Sequence, residues 1–134
     1  MIANGGVMEL GPRREALMKR LAEKPGAAAG PVLAPSGRSP MAMIYKVMGK
    51  MFAIGGLGNA EHVILKCDPH LVEVLKETYA GVGHRSHLDH RFWISVTLDA
   101  DVPADEIDRL IDQSYDLVCA SLTRKQRAEL GVSA

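Results

Sequence analysis

The sequence predicts an α+β domain built on an antiparallel sheet of about five strands, with helices packed on one face. Short apolar runs separated by glycine turns occupy residues 41–66 and recur within 82–98, a pattern typical of strands paired through tight connections. Apolar residues at helical spacing occupy the stretches before, between and after these runs. The predicted order of elements is α-β-β-β-α-β-β-α-α.

The first half of the chain is predicted to hold a helix, a long loop and three strands. Helical spacing of apolar residues extends over 12–24, and Pro25 ends this helix because proline disfavours helical geometry in the residue before it. Residues 1–11 predict a flexible tail, and the Gly-, Pro- and Ala-rich residues 26–40 predict a loop. Three short apolar runs then predict strands over 41–47, 50–56 and 62–66.

The second half is predicted to hold a helix, a second hairpin and two more helices. Asp68 is suited to the N-cap of the first of these helices, and Pro69 to its first helical position. After the hairpin, a long amphipathic helix is predicted over 103–121. Thr123 and Gln126 have the spacing of a capping box, which predicts a short last helix.

Length and composition restrict the class of protein. A chain of 134 residues with 47% apolar and 24% charged residues is typical of one soluble domain, here 1–134. No segment approaches the roughly 18 apolar residues of a membrane span, and no secretory signal is visible at the N-terminus. Cys67 and Cys119 are too few for a disulfide scaffold. We therefore expect a cytoplasmic protein with reduced thiols and no membrane partner.

Charge is balanced over the whole chain but unevenly distributed. Residues 1–66 carry nine Lys or Arg against four Asp or Glu, whereas residues 67–134 carry seven against twelve. Nucleic-acid-binding domains are typically basic, so an anionic partner would have to meet a local patch. The acidic residues of the second half are expected to solvate one helix face. They include Asp99, Asp101, Asp105, Glu106, Asp108, Asp112 and Asp116.

The side chains that could carry catalysis or bind a metal form no familiar constellation. His84, His87 and His90 are three residues apart, and in a strand and turn such residues fall on opposite faces, so at most two can converge. Cys67 lies at a predicted helix start, where a thiol pKa can be lowered, but no neighbouring base can be placed. We therefore expect no catalytic residue, no metal site and no cofactor.

One predicted strand offers a candidate binding surface. Side chains alternate along a strand, so Trp93, Ser95 and Thr97 share a polar face, opposite the apolar residues between them. A tryptophan beside cations is suited to stacking a base and holding phosphates. The alternative is that Trp93 fills a pocket under the predicted loop over 26–40 or lies at a self-association surface. The cations expected to flank Trp93 are Lys50, Lys66 and Arg91.

Five segments, taken in order, resemble the MmcQ/YjbR family over about residues 43–130. They are KMFAI (50–54), LKCDP (65–69), HLDHRFW (87–93), LDADVP (98–103) and IDQSYDLV (111–118). The resemblance implies an α+β fold similar to type III secretion chaperones and to the double-wing DNA-binding domain of a phage transcription factor. It also implies a single-domain bacterial protein with a DNA-binding role and no established catalysis.

The resemblance extends to individual positions. Those that match the recurrent residues of the family are Lys50, Lys66, Cys67, Asp68, Pro69, His87, Arg91, Trp93, Ser114 and Tyr115. Asp89 and His90 stand where the family usually has Asn and Lys, so this turn carries less positive charge. Ser114 lies on the predicted buried stripe, and Tyr115 can hydrogen-bond from its edge.

Two functions from different classes follow from these observations. The first is DNA binding through the polar sheet face. The alternative is a protein-interaction or chaperone-like module, which agrees with the secretion-chaperone resemblance. The residues expected to contact nucleic acid are Lys50, Lys66, His87, Arg91 and Trp93.

Overall fold

The computed structural model describes residues 12–33, 40–56, 62–85 and 88–131, which form four helices and one six-stranded sheet. The helices are α1 (Pro12–Ala22), α2 (Pro69–Thr78), α3 (Ala104–Ala120) and α4 (Arg124–Leu130). The strands are β1 (Ala27–Leu33), β2 (Pro40–Val47), β3 (Lys50–Gly56), β4 (His62–Lys66), β5 (Val82–Gly83) and β6 (Trp93–Thr97). Their spatial order is β1-β2-β3-β4-β6-β5, and every neighbouring pair is antiparallel. The tail predicted for residues 1–11 lies outside the described residues.

The predicted loop over 26–40 is wrong for Ala27–Leu33, which forms β1. Its sequence, AAAGPVL, has Val32 as its one β-branched residue and no aromatic residue, whereas most strands are rich in both. Pairing with β2 compensates for this weak propensity, because seven residues of β1 have register partners there. The sheet therefore has six strands where the sequence predicted about five.

β1 is an edge strand that presents few hydrogen-bond donors on its outer side. Backbone groups of alternate residues in an antiparallel strand face away from the partner. On this outer side the Ala27 N–H already donates to the Lys24 carbonyl at 2.9 Å, and Pro31 has no N–H. Between Ala27 and Pro31, only Ala29 therefore offers an outward donor.

Local signals place the turns and helix ends as the sequence predicted. Met48 and Gly49 both have positive φ, 49° and 81°, as a two-residue hairpin turn requires. At the start of α2, the Asp68 carboxylate accepts the His70 N–H at 2.8 Å. The predicted capping box of Thr123 and Gln126 is present at the start of α4.

The hydrophobic core lies between the helices and one face of the sheet. Its largest strand side chains are Tyr45 and Phe52, which are 2% and 0% exposed, and Leu65 and Ile94 are also at most 1% exposed. Buried residues of α1, α2 and α3 belong to the same cluster, among them Leu21, Val72, Leu75, Ile111 and Val118. The prediction of helices on one face is therefore confirmed.

The other face of the sheet is called the open face from here on. Residues directly opposite in antiparallel strands share a face, so the register assigns its members. They include Lys46, Ile54, Ile64, Lys66, Trp93, Ser95 and Thr97. Within the described ranges, none of the helices combines the length and apolar composition that crossing a bilayer requires.

Candidate nucleic-acid interface

Trp93 and Lys66 are cross-strand partners on the open face, as the sequence predicted. They stand directly opposite each other in the pairing of β6 with β4, and both are half-buried. The Lys66 ammonium forms no ion pair within the described part of the chain. An aromatic ring and an unpaired cation are therefore adjacent at one end of the open face.

The indole of Trp93 also lines a groove of about 350 Å³. Most of the lining is apolar, and it joins the end of the sheet to the start of α2 and to the last turn of α3. The residues that line it are Lys66, Cys67, Pro69, Phe92, Trp93 and Leu117. Trp93 therefore borders both the open face and a groove beside α2 and α3, and this groove is not the expected pocket under the loop over 26–40.

A β-bulge in β3 changes which face its first residues occupy. Tyr45 pairs with Ala53, but Lys46 pairs with Met51, so Phe52 is an extra residue without a register partner. The Phe52 ring is fully buried and meets the Tyr115 ring edge-on at a centroid distance of 5.4 Å. Strict alternation of side chains therefore fails at this point of β3.

Lys50 lies on the helix-covered face, so its predicted position beside Trp93 is wrong. It is paired with Val47, which is fully buried in the core. The Lys50 ammonium donates to the Ser121 carbonyl at 3.1 Å, at the C-terminal end of α3. A cation at this end of a helix stabilises the exposed carbonyl groups and the helix dipole. Lys50 therefore has a structural role on the opposite side of the sheet.

Arg91 lies beside Trp93 in the chain, but its charge is already paired. Its guanidinium donates to the Asp89 carboxylate, with Nη2 to Oδ2 at 2.7 Å and Nε to Oδ1 at 3.1 Å. Hydrogen bonds from the Arg91 side chain and backbone lower the pKa of Asp89 to about 2. Asp89 is therefore ionised at neutral pH, which reduces the positive charge that Arg91 can offer to a phosphate.

Two of the three histidines converge, and the third, His87, lies outside the described residues. The rings of His84 and His90 stack with centroids 4.1 Å apart and an interplanar angle of 8°. His84 Nδ1 lies 3.1 Å from the Trp93 carbonyl oxygen. Burial lowers the pKa of His84, and the nearby His90 and Lys76 lower it further. The stack thus contacts the strand that carries Trp93.

Cys67 is not an activated thiol, contrary to what a helix start alone suggests. Burial raises its pKa to about 11, and the neighbouring Asp68 contributes to the increase. Its Sγ lies 3.9 Å from Gln113 Oε1, a weak contact inside the protein. At neutral pH the residue is therefore a protonated thiol.

Ser114 and Tyr115 are structural, as predicted. The Ser114 hydroxyl donates to the Phe52 carbonyl at 2.6 Å and accepts the Lys66 N–H at 2.9 Å. It bridges β3 and β4 where the bulge has separated them. The Tyr115 hydroxyl donates to the Pro25 carbonyl at 2.6 Å and fixes the turn before β1 to α3.

Part of the acidic face of α3 binds α1 instead of only facing water. Arg20 approaches Asp108 at 3.6 Å and Asp112 at 3.0 Å, and Lys24 pairs with the same Asp112 carboxylate. The prediction that these aspartates face water is therefore incomplete for Asp108 and Asp112, whose side chains are 48% and 42% exposed but also pair with α1. Two cations of the basic first half are consequently unavailable to an anionic partner.

A second concavity on the open face was not predicted from the sequence. This β5–β6 pocket has a volume of about 360 Å³, and its lining is mainly polar. Its polar side chains are those of His84 and Arg85, which follow β5, and of Ser95 and Thr97 on β6, and the rest of the lining is formed by residues 80–83. Ser95 and Thr97 were placed on the polar face, but only the pairing of β5 with β6 brings Arg85 to them.

Curated relatives support one family. The matching family model is described as YjbR and covers residues 22–117. The uncharacterized protein YjbR of Escherichia coli strain K12 is 32% identical over 83 residues, which are 61% of this chain and 70% of that protein. The uncharacterized protein YyaQ of Bacillus subtilis strain 168 is 31% identical over 75 residues, which are 56% and 63% of the two chains.

Solved structures support the fold. The Deinococcus radiodurans protein DR2400, which carries domain DUF419, superposes with a TM-score of 0.74 at 28% identity, covering 89% of this chain and 88% of that one. A Pseudomonas syringae protein superposes with a TM-score of 0.62 at 23% identity, covering 78% and 97%, and shows the same fold. Since the YjbR model matches most of the chain and relatives of the same name align with it, the chain belongs to the YjbR family, whose function is uncharacterized.

Proposed function

We propose that the open face binds single-stranded DNA without catalysing a reaction. The observation that carries the proposal is the cross-strand pair of Trp93 and Lys66. A partly exposed indole offers a base a flat surface for stacking, and the adjacent ammonium is placed to neutralise a phosphate. A base must be unpaired to stack on a protein ring, which favours single strands over duplex.

Other features agree with a binding role. Lys46 lies on the same face, two β-strands away from Lys66. A single-stranded DNA that crosses the sheet would therefore meet a second cation. The raised pKa of Cys67 keeps this thiol, which lines the same groove as Trp93, protonated at neutral pH. A cytoplasmic location belongs to the same proposal, because two cysteines outside a disulfide framework are typical of reducing compartments.

Charge limits the affinity that this surface can reach. Arg91 is paired with Asp89, Lys50 is on the other face, and Arg20 is paired with α3. With one or two phosphate contacts, binding should be weak and should depend only moderately on salt. The slope of log K against log salt is about −0.7 for each contact with a single strand, so we expect a slope between about −0.7 and −1.4.

The test follows labelled mixed-sequence single-stranded DNA by anisotropy and the chain's one tryptophan by its emission, at low and at physiological salt. Saturable binding should quench Trp93. Lys66→Gln should weaken binding and remove about 0.7 from the salt slope. Trp93→Leu should weaken binding by about tenfold, because base stacking contributes about 1–3 kcal/mol.

Lys50→Gln is the matched control, since it removes the same charge from the helix-covered face. It should leave DNA affinity unchanged. Absence of binding at low salt would contradict the proposal, and so would an equal loss of affinity in Lys50→Gln and Lys66→Gln.

The alternative, a protein-interaction or chaperone-like module, is favoured by a specific observation. The groove beside Trp93 is lined by the apolar side chains of Pro69, Phe92 and Leu117, and Leu71 and Val74 are exposed on the adjacent α2. An apolar segment of a partner protein would fit such a surface. Binding of this kind would be insensitive to salt, whereas DNA binding weakens as salt rises.

A further inference from the structure

We propose that the β5–β6 pocket is a phosphate subsite, with Arg85, Ser95 and Thr97 as its donors. The inference rests on the proposed function in one respect, since it places the backbone phosphate next to the nucleotide whose base stacks on Trp93. The chemistry of the pocket can nevertheless be tested without nucleic acid.

The donors in the pocket are a guanidinium and two hydroxyls. Arg85 is exposed and forms no ion pair within the described part of the chain. Ser95 is only 2% exposed, yet it lines the pocket, and its hydroxyl has no hydrogen-bond partner among the described residues. A nearly buried hydroxyl without an internal partner normally bonds to a ligand or to water. Ser95 is therefore available to an oxyanion in the pocket.

The strand next to Ser95 leaves room for a ligand. Gly83 is the register partner of Ser95 on β5, and a Cβ atom at Gly83 would lie 3.9 Å from the Ser95 hydroxyl oxygen. Any larger side chain at Gly83 would therefore extend over Ser95. With glycine there, the hydroxyl stays accessible from the open face.

Backbone amides and the histidine do not supply the donors. The Asp101 carboxylate accepts the N–H groups of Ala80 and Gly81 at 2.6 and 2.7 Å, so these amides are already used. The Trp93 carbonyl can only accept, so it requires a proton on His84 Nδ1 and leaves Nε2 of the neutral ring as an acceptor. Anion binding at neutral pH therefore depends on the three side-chain donors.

The pocket is spaced correctly from the stacking site. Ser95 is two residues from Trp93 on the same face of β6, which is about 7 Å along the strand. A nucleotide spans a similar distance from its base to the neighbouring phosphate. A base on Trp93 would therefore bring the next phosphate to Ser95 and Arg85, while Lys66 lies on the opposite side of the ring.

The first arm of the experiment titrates ¹⁵N-labelled protein with inorganic phosphate, against sodium chloride of matched ionic strength. Saturable amide shifts are expected at Gly83, Ser95 and Thr97. Arg85→Gln should weaken phosphate binding by about tenfold, because hydrogen bonds to a charged group contribute about 1.5–3 kcal/mol. Ser95→Ala should weaken it by a similar factor, and Arg124→Gln, an exposed arginine on α4, should not change it. Shifts that do not saturate, or that are equally sensitive to Arg124→Gln, would overturn the inference.

The second arm measures single-stranded DNA binding in the same variants and separates the two proposals. Phosphate binding that is lost in Arg85→Gln, with no DNA binding by the wild type, would support the subsite for a small phosphorylated compound and contradict DNA binding. DNA that quenches Trp93 and binds Arg85→Gln and Ser95→Ala with wild-type affinity would support DNA binding and overturn the subsite. A parallel loss of phosphate and DNA affinity would support both.

Discussion

The Ser114 hydroxyl connects β3 and β4 where the two strands do not pair directly. The bulge at Phe52 removes the regular pairing of β3 with the end of β4, and the Ser114 side chain bonds to both strands across the gap. The backbone N–H of Lys66 is held in this way from the core side, while the Lys66 side chain ends on the open face. The position of Lys66, which is the candidate phosphate contact beside Trp93, thus depends on Ser114, a buried serine of α3.

Ser114→Ala should destabilise the protein by about 1–3 kcal/mol, because a buried carbonyl and a buried N–H would both lose their partner. The measurement is the free energy of unfolding in urea. Ser121→Ala is the control, since the Ser121 hydroxyl donates to Val118 at an exposed helix end. A loss no larger than that of the control would show that the two strands close the gap without the hydroxyl.

The residues of the candidate site could be predicted only where local rules hold. Trp93 was placed correctly because β6 is a regular strand, in which alternation fixes the face. In β4 both alternating sets contain apolar residues, so only the pairing with β6 assigns Lys66 to the open face. Lys50 was misplaced because the Phe52 bulge inserts a residue, and a polar and apolar pattern does not reveal such an insertion. Arg85 was missed because its relation to Ser95 depends on pairing between distant segments.

At the scale of the elements, helices were predicted more accurately than strands. Helix starts carry specific side-chain chemistry, as at Asp68 and Thr123, and these starts were confirmed. β1 carries no such signal, because Ala, Gly and Pro serve equally well in a loop. What makes these residues a strand is the hydrogen-bonding edge of β2, which local sequence does not encode.

The packing of α1 on α3 combines apolar contacts with ion pairs. Leu17 and Leu21 are buried, and beside them Arg20 and Lys24 share the Asp112 carboxylate. Burial alone would raise the pKa of Asp112, but hydrogen bonds and charge from Lys24 and Arg20 outweigh it, so the pKa is lowered. The ion pairs therefore stabilise the docked helix.

Asp112→Asn should lower the free energy of unfolding by about 1 kcal/mol at low salt, because the pairs are partly exposed. The difference from wild type should shrink in high salt, which screens the pairs. Asp116→Asn, on the exposed side of the same helix, should leave stability unchanged or slightly increased, since it removes a negative charge near the helix C-terminus. A loss in Asp112→Asn that is independent of salt would indicate packing and not charge.

At the scale of the whole molecule, aspartates with lowered pKa values make folding sensitive to acid. Asp68 is held by hydrogen bonds from His70, Asp89 by Arg91, and Asp101 by the backbone of Gly81 and Ala80. A carboxyl group whose pKa is lower in the folded state stabilises that state above the unfolded pKa, which is about 3.9. The stabilisation is lost as the pH falls through the lowered, folded-state pKa.

We expect the urea midpoint to fall slightly below about pH 6.5, because the lowered pKa of His84 makes the unfolded state bind its proton first, and to fall further below about pH 4. Asp101→Asn should be less stable than wild type at pH 7, and the difference should close as the pH falls toward 2. The measurement is a series of urea unfolding curves across this range, with Asp116→Asn, which should not be less stable than wild type at pH 7, as the control. A difference between wild type and Asp101→Asn that stays constant down to pH 2 would exclude ionisation of Asp101 as its cause.

The proline in the edge strand has a consequence for behaviour at high concentration. Open sheets grow into fibrils when an edge strand templates another chain through an uninterrupted row of backbone donors and acceptors. With the Ala27 amide already bonded to Lys24 and none at Pro31, the outer side of β1 cannot supply such a row. An uncharged strand of small apolar residues, which would otherwise be prone to aggregation, is thereby kept from recruiting its neighbours.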